Sequence, residues 1–321
     1  MMSDNLKNSN SNNAFASLNE NLQKAQQQLY TTITAHQTTI HIIGAPRSGT
    51  TLLSQLLLSY TQVGYINNLI AAFWNAPLYG IYLSNKLLPQ AYISSFTSEF
   101  GATNTIEEPH EFSYFWKKHL NYPDFLQRSY DPNHTIDWSA LKSILYQMTF
   151  AFQKPILYKS FQFGFHANEA VQQMPKTIFF HIKRDIFQNA YSILKLREKR
   201  HEDISIWASI KPHQYSFLKD ENPYRQVVGQ VMFLNHEYKK QLDGIPVKNK
   251  DVISYSDLCA SPERVLSQLV GVISHHYKLG PFTDTIQAIS ENKVAIPSEI
   301  LSHFEKAKKW LLTKYPELQY D

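Results

Sequence analysis

Residues 39–51 read Thr39-Ile40-His41-Ile42-Ile43-Gly44-Ala45-Pro46-Arg47-Ser48-Gly49-Thr50-Thr51. The run Thr39 to Ile43 is short and apolar, as a buried strand is, and Gly44 stops it. A loop follows and leads into a helix from Thr51 to about Tyr60, whose Leu52, Leu53, Leu56 and Leu57 recur as a buried stripe. Strand, loop and helix in this order open a parallel α/β sheet. Such a junction is also an anion cradle, because free backbone N–H groups and the positive end of the helix dipole meet there. Thr50 and Thr51 add hydroxyl donors, and Arg47 adds charge.

The two glycines, Gly44 and Gly49, have the spacing of the ATP/GTP loop, G-x-x-x-x-G-K-[ST]. The lysine position of that loop is Thr50 here, and the positive charge has moved inside the loop to Arg47. A kinase or ATPase is therefore disfavoured. The bland alternative is an ordinary glycine-containing turn, but the flanking strand and helix argue for the cradle.

Further strand-like runs lie at Ile156–Ser160, Thr177–Ile182 and Asp251–Tyr255. Each precedes a helical stretch: Asn168–Gln173, Phe187–Arg197 and Pro262–Ile273, the last opened by Ser261 as cap and Pro262 in the first turn. A final helix, Ser298 to about Lys314, buries Ile300, Phe304, Ala307 and Leu311. Residues 65–150 hold no comparable strand and are rich in aromatics such as Phe73, Trp74, Phe112, Phe115 and Trp116. They read as a helical insertion over the strand ends, roofing whatever binds there. The fold class expected is α/β, a three-layer P-loop nucleotide-kinase-like fold with a central parallel sheet. Residues 1–14 are Asn/Ser-rich and read as a disordered tail. Residues 15–321 read as a single domain, beginning with a polar helix over 15–37 that places Leu18, Leu22, Ala25 and Leu29 at helical spacing.

The 321 residues are 43% apolar, enough for a large core, and the net charge of +4 suits a handler of small anions. No dense Lys/Arg run with interleaved aromatics points to nucleic acid. Cys259 is the single cysteine, which rules out an intrachain disulfide and a cysteine-based zinc cluster. The first residues lack a signal peptide's apolar run, and no stretch approaches the ~18 apolar residues of a membrane span. The expectation is a soluble, cytoplasmic protein, with signal-less secretion left open.

Pro46-Arg47-Ser48-Gly49-Thr50-Thr51-Leu52-Leu53 closely resembles the 5'-phosphosulfate loop of sulfotransferases, in the branch with Pro-Arg where others have Pro-Lys. The resemblance implies that Pro46, Arg47, Ser48, Gly49, Thr50 and Thr51 bind 3'-phosphoadenosine 5'-phosphosulfate, without a metal. It also implies a 3'-phosphate site, an Arg and a Ser eight positions apart after a later strand. Arg184 and Ser192 have that separation, beyond the run Phe179-Phe180-His181-Ile182-Lys183. An arginine leaving a strand end can fork onto a phosphate; the plainer reading is a solvated Arg184–Asp185 pair. Where the family has Pro two residues after this Arg, the chain has Ile186. Tyr158-Lys159-Ser160 stands where the family has Lys-Thr-Pro or Lys-Thr-His. Ser254-Tyr255-Ser256-Asp257-Leu258 resembles a segment that closes the fold and is assigned no chemistry. The family's late Arg-Lys-Gly loop is absent, with Ser290-Glu291-Asn292-Lys293 in its place.

Sulfuryl transfer needs an in-line attacking atom, a base for the acceptor proton and positive charge on the leaving group. Arg47 is the candidate for the charge. The Gly-Glu context that supplies the base in one branch reads Gly64-Tyr65-Ile66 here. The base is therefore sought in Glu107-Glu108-Pro109-His110-Glu111-Phe112, which resembles a Glu-Pro-x-Glu-aromatic stretch of some bacterial relatives. The order of preference is Glu108, then Glu111, then His110, against the alternative of a solvated acidic helix start. His201, His275 and His276 read as surface or core histidines. His166 has a weak case for lying near the acceptor. Trp207 to Pro212 reads either as a nucleotide-steering aromatic and lysine or as a packed connecting helix. The expected function is sulfuryl transfer to a hydroxyl or amine of a small-molecule, glycan or peptide acceptor. The rivals are an ATP-dependent small-molecule kinase and a non-catalytic binding protein on a nucleotide fold.

Overall fold

The computed structural model describes residues 2–27, 29, 38–89, 96, 103, 105–123, 135–279, 289–291 and 293–320. Five strands form its sheet among the described residues: β1 (Thr39–Ile43), β2 (Gly64–Tyr65), β3 (Ile156–Lys159), β4 (Thr177–Lys183) and β5 (Lys250–Ser254). They lie in the order β2-β3-β1-β4-β5, and every pairing is parallel. β1, β3, β4 and β5 are the four strands read from the sequence, within one residue at each end. β2 was not anticipated, because a two-residue strand carries no periodicity.

Side chains alternate across the sheet, so each strand serves two cores. Ile40 and Ile42 face one side with Leu157, Ile178, Phe180 and Ile253. That face is covered by α2 (Thr50–Tyr60), α11 (Tyr255–Ala260) and α12 (Pro262–Ser274). Ile43, Tyr158 and Phe179 face the other side. There they meet α7 (Ala167–Gln173), α8 (Ile186–His201) and α10 (Pro223–Asp243), with α9 (Tyr215–Leu218) and α13 (Ser298–Lys314) outside. The result is the three-layer α/β fold expected.

α10 was not legible as a helix. Val227, Val228, Val231, Met232, Phe233 and Leu234 are buried together with Gln226, Gln230 and Asn235, so no single apolar stripe stands out. Its start carries a recognisable signal all the same: Asn222 caps the N–H of Arg225, and Pro223 occupies the first turn. At α12 the first-turn Pro262 is present, but Ser261 makes no side-chain cap.

Between β2 and β3 the chain forms α3 (Asn68–Ala71), α4 (Pro77–Leu87), α5 (Ser113–His119) and α6 (Trp138–Phe152). Parts of this aromatic-rich stretch, including 90–95 and 124–134, lie outside the described residues. α1 (Met2–Gln26) begins inside the stretch read as a tail, since Asn and Ser are weak but tolerated helix residues. It ends at Gln26, well before residue 37, and residues 30–37 fall outside the described set. Among the described residues of α1, those that are buried are amides: Leu18 is exposed and Leu22 half-buried, while Asn19 and Gln26 are buried. Asn19 donates to the Ala72 carbonyl at the end of α3, and Gln26 accepts from Leu78 N–H at the start of α4. Helix ends leave such groups without partners, and two amides seven residues apart satisfy one at each helix. Among the described residues, no helix is long and apolar enough to cross a membrane.

Candidate functional site

With all strands parallel, the residues following β1, β3, β4 and β5 gather on one edge of the sheet, where such folds bind ligands. Gly44 leaves β1 with no room for a side chain: a Cβ would sit 2.5 Å from the Ile182 carbonyl oxygen and 2.6 Å from Ser48 Oγ. Gly49 has φ 105°, and a Cβ there would strike the Tyr255 ring. Both glycines are therefore demanded by geometry. Arg47 itself takes a left-handed φ of 70°, an uncommon conformation for a non-glycine residue. α2 starts with no side-chain cap and no acidic first-turn residue, which leaves its N–H groups directed at the loop. Ser48 Oγ is fully buried without a hydrogen-bond partner.

The strand β4 delivers Arg184 to the same place. Arg184 Nη1 donates to the Arg47 carbonyl at 3.2 Å, and its guanidinium lies over the Tyr255 ring at 4.8 Å. Arg47 Nε donates to Ser192 Oγ at 3.1 Å. Arg47, Arg184 and Ser192 are thus one cluster. Burial first, and then the Arg184 charge, lower the Arg47 pKa to about 10, which leaves it cationic at neutral pH. Asp185 caps α8, accepting from the N–H groups of Phe187 and Gln188 at 3.1 and 2.9 Å. This cap starts the helix without the proline that Ile186 replaces.

The acidic segment 107–111 is held against α3 and β2. Asn67 and Pro109 form an antiparallel bridge, and His110 N–H donates to the Ile66 carbonyl at 2.9 Å. Glu108 is only 2% exposed, and its Oε2 accepts from Gln55 Nε2 at 3.2 Å. Gln55 lies one turn beyond Thr51 on α2, so Glu108 sits behind the loop. Glu111 stands nearer the loop. Its side chain is 36% exposed, it pairs with the buried Lys159 at 3.2 Å, and its charge raises the Arg47 pKa. His110 Nδ1 accepts the Phe112 N–H at 2.8 Å, which puts the proton of the neutral ring on Nε2. Burial lowers the His110 pKa, so this tautomer presents a donor and not a base.

Two residues given no firm role in the sequence belong to the cluster. Lys159 ends β3 and donates to Thr51 Oγ1 at 3.0 Å while it pairs with Glu111. Tyr255, the first residue after β5, packs on both Gly49 and Arg184. Their shared signal is position: each is a polar-tipped residue at the carboxyl end of a parallel strand.

Other candidates lie apart. His166 bonds Tyr122 Oη at 2.6 Å. Trp207 is in a loop and not a helix. Its Nε1 donates to the Ser209 carbonyl and the buried Arg197 covers its ring at 4.8 Å, so the ring serves packing. His201 ends α8, and His275 and His276 follow α12. Among the described residues no three His, Cys, Asp or Glu gather as metal ligands. Lys293 pairs with Glu291 at 3.1 Å, and Asn292 lies outside the described residues. A cleft of about 910 Å³ opens between α1, α5 and α6, lined by Gln23, Gln27, His119, Asp137 and Gln147 among others.

The family model described as "Sulfotransferase family" matches residues 39–275, which contain every element of this cluster. The chain belongs to the sulfotransferase family. Among solved structures, this sulfotransferase is similar to the sulfotransferase domain from the curacin biosynthetic pathway, at 15% identity and TM-score 0.42 over 86% of this chain and 98% of that one. The sulfotransferase STF1 from Mycobacterium tuberculosis matches at 12% identity and TM-score 0.49, over 88% and 75% of the two chains. A sulfotransferase from Alicyclobacillus acidocaldarius matches at 13% identity and TM-score 0.42, over 87% and 96%. No curated protein matches the chain.

Proposed function

We propose that the chain transfers a sulfuryl group from 3'-phosphoadenosine 5'-phosphosulfate to a hydroxyl or amine acceptor, in the cytoplasm. The observation that carries this reading is the junction of two arginines from neighbouring strand tips, Arg184 bonded to the Arg47 carbonyl and Arg47 bonded to Ser192. Two guanidinium groups this close oppose each other, and after burial the Arg184 charge is the next cause that lowers the Arg47 pKa. A ligand with anionic groups at both ends relieves that opposition. The buried, unpartnered Ser48 hydroxyl and the uncapped start of α2 fit the 5' end of such a donor.

In this reading Pro46 to Thr51 cradle the phosphosulfate, and Arg184 with Ser192 hold the 3'-phosphate. The donor supplies an activated sulfur. The acceptor oxygen or nitrogen forms a new bond to that sulfur as the sulfur–oxygen bond to the phosphate breaks. Arg47 steadies the charge that gathers on the departing phosphate. The acceptor proton goes to a carboxylate, and the geometry favours Glu111 over Glu108. Glu111 is partly exposed beside Arg47 and Lys159, whereas Glu108 is buried behind the loop and bonded to Gln55. Lys159 orients both Glu111 and the Thr51 hydroxyl. The helical stretch between β2 and β3 roofs the acceptor.

The direct test incubates the protein with a radiolabelled donor and pools of small-molecule, glycan and peptide acceptors. Transfer of label by the wild type, lost in Arg47→Ala, supports the reading. No transfer to any pool, with no binding of adenosine 3',5'-bisphosphate, overturns it.

A further inference from the structure

The cradle has to present N–H groups to an anion while its carbonyl oxygens turn elsewhere, because an inward carbonyl repels phosphate. In this loop three successive carbonyls are drawn away by named donors. The Ala45 oxygen accepts from Ser48 N–H at 3.1 Å. The Arg47 oxygen accepts from Arg184 Nη1 at 3.2 Å. Between them, the Pro46 oxygen accepts from Asn189 Nδ2 at 2.5 Å.

Asn189 is a residue that neither the loop motif nor the Arg184–Ser192 pair includes. It lies on α8 between those two and is 0% exposed. Its amide orientation is fixed by its partner, because Pro46 offers only a carbonyl there and a flipped amide would set oxygen against oxygen. Its own Oδ1 is buried with no hydrogen-bond partner. The fold therefore keeps an amide here at the cost of its own orphaned Oδ1, and the one bond that amide makes is to the phosphate loop.

We infer that Asn189 is a positioning residue for donor binding: it withdraws the Pro46 carbonyl and so fixes the 5'-phosphate cradle in register with the 3'-phosphate site made by Arg184 just before α8 and Ser192 on it. The inference rests on the proposed donor reading. Asn189 touches no reacting atom in it, and it acts through the backbone at Pro46 and Arg47. Releasing the Pro46 carbonyl frees Arg47 to leave its left-handed φ of 70°, which loosens the 5' cradle and leaves Arg184 after β4 and Ser192 on α8 in place.

The experiment measures binding of adenosine 3',5'-bisphosphate and of adenosine 3'-monophosphate by calorimetry. It compares wild type, Asn189→Leu (similar in volume) and, as a second variant, Asn189→Ala. The expected result is binding of the bisphosphate weakened about tenfold or more, with the 3'-monophosphate within about twofold of wild type. Equal weakening of both nucleotides, or loss of folding in both variants, assigns Asn189 a structural role only and overturns the inference. Unchanged bisphosphate binding overturns it as well. Failure of the wild type to bind either nucleotide is a different outcome, which removes the donor reading and the inference together.

Discussion

Arg184, at the end of β4, donates from Nη1 to the main-chain oxygen of Arg47 in the loop after β1, at 3.2 Å. The bond joins a side chain of one proposed anion site to the backbone of the other. The two places are thereby joined through Arg184, and loss of that side chain is expected to reach both.

Arg47→Ala is expected to weaken adenosine 3',5'-bisphosphate binding by roughly ten- to a hundredfold, as loss of a charge-assisted contact does. Arg184→Ala removes both a proposed phosphate ligand and the bond to Arg47. It should weaken the bisphosphate at least as much, and it should narrow the preference for the bisphosphate over adenosine 5'-monophosphate. Calorimetry with both nucleotides checks this. A preference left intact in Arg184→Ala counts against a 3'-phosphate role.

The loop between β1 and α2, the proposed donor cradle, was legible as a structure because its signal is local. Gly44, Arg47 and Gly49 carry their backbone demands in the residues themselves, and the flanking strand and helix are short-range patterns. Lys159, Tyr255 and Asn189 were not legible as a group, because only the strand order β3-β1-β4-β5 brings them to the loop. The surroundings on which the proposed order among Glu108, Glu111 and His110 rests were equally hidden. They are the buried contact of Glu108 with Gln55 and the bond of the His110 ring to the Phe112 amide.

Glu111→Gln is expected to lower kcat by about a hundredfold or more, in the range of general-base loss, with little change in bisphosphate affinity. Glu108→Gln should leave kcat within about tenfold and act on stability, since Gln55 loses a charged acceptor in a buried place. Steady-state kinetics with an identified acceptor, alongside thermal melting, separates the two. A larger kcat loss in Glu108→Gln than in Glu111→Gln would restore Glu108 as the base.

The kinase rival makes an opposite demand. With Thr50 in the lysine position of the ATP loop, adenosine 3',5'-bisphosphate without metal should raise Tm, by mass action on the folded state, more than ATP with magnesium at equal concentration. A thermal-shift titration decides it, and stabilisation by ATP–magnesium alone would favour the kinase.

Acid should destabilise the fold through buried histidines. Burial lowers the His181 pKa to about 3 and the His119 pKa to about 4, and it holds His41 well below 6.5. His41 bonds Ser160 Oγ at 3.0 Å and stacks on Tyr158 inside the aromatic core. In the folded chain these rings stay neutral, while in the unfolded chain they take up protons near pH 6.5. Their contribution is therefore fully present above about pH 6.5 and is lost as pH falls toward the folded values, by up to about 1.4 kcal/mol per pH unit for each ring. Urea unfolding between pH 7.5 and pH 4.5 should show this slope, and His41→Phe should flatten it by removing one proton uptake. An unchanged slope in His41→Phe would mean that the ring already titrates normally in the fold, which a neutral His41 sealed among Trp116, Tyr158, Phe163 and Phe179 does not permit.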